Sequence, residues 1–131
     1  MSSAIKAVLA LAALAGGGAL AAQGGGLAAL AGLQRGKWTV TTRDGGTPQT
    51  LCLGNPVQLI QLRHPQRACS RLVVENEAAK LTVQYTCKGD GYGRTSIRRE
   101  TPTLIQIESQ GISHGRPFQF AAEGRRTGAC R

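Results

Sequence analysis

Aromatic side chains are scarce in this chain: one Trp, two Tyr and two Phe make up 4% of its 131 residues. The scarcity argues against a nucleic-acid binder, in which stacking rings are interleaved with cations, and leaves little bulk for a core. Acidic residues are also few, seven against sixteen Lys and Arg. No two of them stand at a spacing that reads as the acid and base pair of a glycosidase. Glu75 and Glu77 read as carboxylates on a solvated loop edge. Neither C-x-x-C nor H-x-x-x-H occurs, which removes the usual signature of structural zinc. Ser70, Ser96, Ser109 and Ser113 lie in no nucleophile-elbow context, and no apolar run reaches the about 20 residues of a membrane-spanning helix.

What is present begins with an export signature. Met1 to Lys6 form a short segment with one cation, Ala7 to Leu20 an apolar run, and Ala19-Leu20-Ala21 a small-x-small cleavage pattern. Residues 1–21 therefore read as a signal peptide, with Ala22 or Gln23 opening the mature chain. A retained anchor is the competing reading. The glycine triplet Gly16 to Gly18 argues against it, and no cysteine near the cleavage site offers a lipid attachment point. The remaining stretch of about 110 residues suits one domain. It contains all four cysteines, Cys52, Cys69, Cys87 and Cys130. An even count in an exported chain predicts two disulfides, with three connectivities open.

Charge is the second positive feature. Without Lys6 the sixteen Lys and Arg become fifteen, which against seven acids leaves a formal charge of +8. Such a charge attracts polyanions such as anionic headgroups of the envelope. The candidate anion contacts are Arg94, Arg98, Arg99, Arg125 and Arg126. The bland alternative is that the arginines, scattered apart from the last two pairs, simply solvate strand faces.

Along the chain, residues 22–35 read as a Gly/Ala-rich tether with a short helix over Leu27 to Leu33. From Gly36 strand patterns take over, and residues 36–131 form the disulfide-stapled domain. Lys37 to Arg43 alternates Trp38 and Val40 against threonines, Asp44-Gly45-Gly46 turns, and Gln49 to Leu53 returns. Asn55-Pro56 caps a short helix over Val57 to Leu62, which His64-Pro65 ends. Strand resumes at Leu72 to Val74. Leu81 to Lys88 is the cleanest alternation, with Leu81, Val83, Tyr85 and Cys87 on one face. Tyr92 to Arg99, Thr103 to Gln110 and Pro117 to Glu123 follow, the last with Phe118, Phe120 and Ala122 inward and a proline that marks an edge. The fold class predicted is mainly β: an antiparallel meander forming a curved sheet or small open barrel, with one or two short helices and an N-terminal signal helix.

Register constrains the cysteines. If Val74 faces Val83 and Leu72 faces Tyr85, Ser70 lies opposite Cys87, and a bulge near Cys69 brings Cys69 into bonding range of Cys87. That pairing leaves Cys52 with Cys130.

Gly36-Lys37-Trp38, Cys52-Leu53, Cys69, Cys87 and the closing Arg125-Arg126-Thr127-Gly128-Ala129-Cys130 resemble the bacterial family called domain of unknown function 3617, over essentially the whole mature chain. The R-H-P and E-S-Q-G stretches are similar to the version found in sphingomonad-like alphaproteobacteria. The resemblance implies an exported, periplasmic or secreted, protein without an assigned activity, and it supplies no catalytic residues, cofactor or metal ligands. One departure is the short Asp44 to Thr50 segment where many members have a longer one, often rich in Met and Pro. Met1 is the sole methionine here, so a thioether metal site is excluded.

Two function classes remain. The first is a non-enzymatic envelope protein binding an anionic envelope component or an amphipathic small molecule. Its cations would come from the arginines above, and its apolar face from Trp38, Tyr85, Phe118 and Phe120, unless these four are simply the core. The second is a small hydrolase or nuclease using His64 or His114, against which both histidines occupy ordinary places, at a helix end and in a turn. Gly89-x-Gly91-x-Gly93 precedes a strand rather than a helix, so it reads as a hairpin turn and not as a phosphate loop.

Overall fold

In the computed structural model the structure describes residues 26–130; the expected signal peptide, its helix and the first four residues of the tether lie outside them. One short helix, α1 (Ala28–Ala31), precedes seven strands: β1 (Gly36–Thr42), β2 (Gln49–Leu53), β3 (Cys69–Asn76), β4 (Lys80–Cys87), β5 (Gly91–Thr101), β6 (Leu104–Ser113) and β7 (Arg116–Gly128). All are antiparallel in one open sheet, ordered β2-β1-β7-β6-β5-β4-β3. The predicted fold class is the observed one, as an open sheet.

One face of the sheet is covered. Leu81, Val83, Tyr85 and Cys87 of β4, Ile97 of β5 and Ile105 and Ile107 of β6 project from it and are buried. Trp38 and Val40 of β1 join them, and α1 and the β2–β3 connection lie across them through Ala29, Leu30, Leu59 and Ile60. The connection opens with a 3₁₀ turn, Pro56–Leu59, shorter than the helix expected to Leu62. Asn55 caps it as predicted, its Oδ1 accepting from Val57 N at 3.1 Å, and α1 is likewise shorter than Leu27 to Leu33.

Both disulfides are those predicted, Cys69 with Cys87 and Cys52 with Cys130, but the register behind the first differs. Val73, not Val74, faces Val83, Leu72 faces Gln84, and Cys69 sits directly opposite Cys87. The bulge is at Val74, skipped between the Val73 and Glu75 pairs. Three consecutive apolar residues in an exposed edge strand give no alternation from which to choose.

Two further boundaries move for steric reasons. β6 runs on past the expected end at Gln110: Gly111 pairs with Gly93 of β5, and only glycine fits there because Tyr92 O lies where a Cβ would stand. The left-handed turn residues are His114 and Gly115, φ 52° and 72°. Pro117 does not mark an edge strand: β7 runs between β1 and β6. Pairing with β1 begins at Ala122, however, so from Arg116 to Phe120 one edge of β7 has no strand partner and a missing N–H is tolerated.

Candidate functional site

The residues alternating with the core ones face the other way and leave that side of the sheet uncovered. Gln84 of β4 lies opposite Arg94 of β5, Arg94 opposite Gln110 of β6, and Gln110 opposite Gln119 of β7. All four are exposed. Two clefts of about 600 and 760 Å³ meet on this row and share Arg94, Gln110 and Gln119. Arg43, Ser96 and Glu108 line the first, and Tyr92 and Thr86 the second.

The five arginines expected to contact anions do not form one patch. Arg94 stands in the row, with no carboxylate or hydrogen-bond acceptor at its guanidinium among the described residues. Arg98 and Arg125 share its face, but each is paired with an acid two residues away, Glu100 at 3.2 Å and Glu123 at 3.0 Å. Arg99 and Arg126 serve the fold. Arg99 packs over Gly32 beyond α1 and donates to Ala78 O at 2.8 Å, while Arg126 Nε donates to Arg35 O at 2.8 Å.

The four expected apolar-face residues also divide. Trp38 and Tyr85 are core, 0% and 2% exposed, and Trp38 Nε1 donates to Gln34 O at 2.9 Å. Phe118 and Phe120 are half-buried on the unpaired stretch of β7, stacked at 6.3 Å, with the Arg63 guanidinium 5.0 Å over the Phe120 ring. Among the described residues, none of the clefts on either face is lined by all four.

The structure brings the two histidines to one end of the sheet, around a residue the sequence did not single out. His64 is fully buried. Its Nε2 faces two carbonyls, Asp90 O at 2.8 Å and Ile112 O at 3.0 Å. Only an N–H can serve two acceptors, so Nε2 carries the proton and Nδ1 accepts from the Tyr85 hydroxyl at 2.9 Å. Burial pushes the Tyr85 phenol up to about 12. His114 is exposed, its backbone N donating to Asp90 Oδ1 at 3.2 Å. Ser113 Oγ and Asp90 Oδ1 both approach His114 Nδ1, at 3.0 and 3.7 Å. A relay from acid through imidazole to nucleophile uses the two different ring nitrogens, so Ser113, His114 and Asp90 do not form one. Arg67, 3.5 Å from Asp90 Oδ2, completes the cluster.

No group of His, Cys, Asp and Glu among the described residues could hold a metal ion. No helix among them is long and apolar enough to cross a membrane. Comparison with known proteins returned no matching family model, no matching curated protein and no matching solved structure.

Proposed function

We propose that this chain is an exported, periplasmic envelope domain of the family its cysteine pattern resembles, and that it binds an anionic partner across the open face of the sheet without catalysing a reaction. The observation that carries the reading is the setting of Arg94. A guanidinium in a cleft, directly opposite a neutral amide on each neighbouring strand and in no ion pair with the cleft's carboxylates Asp44 and Glu108 among the described residues, keeps its charge available to an incoming anion. The two disulfides support an oxidising compartment. The excess of cations over acids supports steering of an anionic partner. The hydrolase or nuclease alternative draws no support from the site: His64 is sealed from solvent with both nitrogens engaged, and His114 lacks a relay.

Salt-gradient elution from a phosphocellulose column tests the reading. Arg94→Gln should leave the column at clearly lower salt than the parent protein, while Arg125→Gln combined with Arg126→Gln, which removes two charges, should shift elution less. Unchanged elution of the Arg94 variant would overturn the assignment, because general charge attraction would then account for all retention.

A further inference from the structure

We infer that the partner is an anionic glycan, a chain of carboxylated or phosphorylated sugars lying across β4, β5, β6 and β7; the inference rests on the anion-binding reading of this same face. Antiparallel strands stand about 4.8 Å apart, so the row Gln84–Arg94–Gln110–Gln119 extends over about 14 Å. That is an extended track and not a point. A small inorganic anion is held by donors converging on one centre, whereas here the row carries one cation, Arg94, with amides strung out on either side of it across the sheet, and Arg43, the other cation of the first cleft, donates instead to Gln106 Oε1 at 2.9 Å.

The amides carry the chemical assignment. Each Gln side chain offers a donor and an acceptor side by side, the complement of two neighbouring hydroxyls on a sugar ring. A carboxylate or phosphate can use only the donor half. Glu108 lies beside the row on β6, in the cleft with Arg94; it accepts from hydroxyls and repels anions. The face therefore fits a ligand whose negative charges are spaced apart and separated by hydroxyls. Tyr92, 55% exposed and two residues from Arg94 on the same face of β5, adds a ring against which the C–H side of a sugar can lie. An anionic lipid would bring acyl chains, and on the row's own face the two clefts offer them only Tyr92, Pro117 and Ala121, while Phe118 and Phe120 take the alternate positions of β7 that face the core.

Calorimetric titration at fixed salt with three probes decides the matter: oligogalacturonate, neutral oligogalactose of the same length, and phosphatidylglycerol vesicles. Each is titrated into the parent protein, into Arg94→Gln, and into Gln84→Leu combined with Gln110→Leu, which leaves the charge unchanged. The expected result is binding of oligogalacturonate at least about tenfold tighter than of the neutral chain, with a loss of about tenfold or more in both variants, the scale of one charged hydrogen bond or two neutral ones. If the vesicles bind in an Arg94-dependent way and the double glutamine variant behaves like the parent, the face reads charge alone. The glycan assignment is then overturned while anion binding stands. If no probe responds to Arg94→Gln, both readings fall. The altered side chains are exposed, so an unchanged unfolding midpoint confirms that the variants are folded.

Discussion

Taking the imidazole of His64 away would strand three groups at once: the Tyr85 hydroxyl and the carbonyls of Asp90 and Ile112. Each buried group left unsatisfied costs about 1–3 kcal/mol, and His64→Leu restores none of the bonds. A loss of about 3 kcal/mol or more in urea unfolding is expected, without effect on retention by phosphocellulose. Tyr85 titrates from the other end of the same chain of bonds. Its phenol is held at about 12 in the folded protein against an ordinary 10, so between these values the unfolded chain binds fewer protons than the folded one. Stability is therefore complete below pH 10 and falls as pH rises toward 12. Urea midpoints measured across that window should decline for the parent protein and decline less for Tyr85→Phe, which starts from a lower value because His64 Nδ1 has lost its donor. Neither role is legible in the sequence. A histidine before proline looks like a helix end, and only the folded register brings Asp90 and Ile112 to it.

At the scale of elements, β3 is the strand to watch. It is an edge carrying Leu72, Val73 and Val74 at 63%, 43% and 46% exposure, and an exposed apolar edge is a template for strand addition. The bulge at Val74 interrupts it. Deleting Val74 should restore regular pairing with β4, straighten the edge and give association that grows with concentration in light scattering, where the parent protein shows less. β3 also marks the boundary of what the sequence reveals. β1 and β4 could be read residue by residue, because each sets apolar residues against the core and polar ones on the other face, so the two types alternate. β3 buries neither face, its residues do not alternate, and the register came out one residue away at Val83. The disulfide partner of Cys69 survived that slip because the bulge was merely placed at the wrong point of the strand. The row through Arg94 was invisible for a related reason. Gln84, Gln110 and Gln119 are unremarkable in three separate segments and become neighbours only when four strands take their register. Nothing in a sequence separates an arginine that holds a backbone carbonyl, as Arg99 and Arg126 do, from one that faces solvent.

At the scale of the whole molecule, the two disulfides hold different things. Cys69–Cys87 closes 18 residues within one hairpin, and Cys52–Cys130 closes 78, tying the segment after β7 to the edge strand β2. In the chain-entropy picture these loops contribute about 3 and about 4.5 kcal/mol. Replacing Cys52 and Cys130 by Ser should therefore lower the unfolding free energy more than replacing Cys69 and Cys87, a ranking that denaturant titration of the two double variants checks. The long loop reflects the sheet order. β1 and β2 are the first strands of the chain, yet they reach the rest of the sheet only through β7, the last. Until Arg116–Gly128 is in place, the early hairpin has nothing to dock on and Trp38 and Val40 no sheet to be buried in. Completion of this fold is thus postponed until β7 can pair, because the hairpin of β1 and β2 and the strand that seats it stand at opposite ends of the described residues.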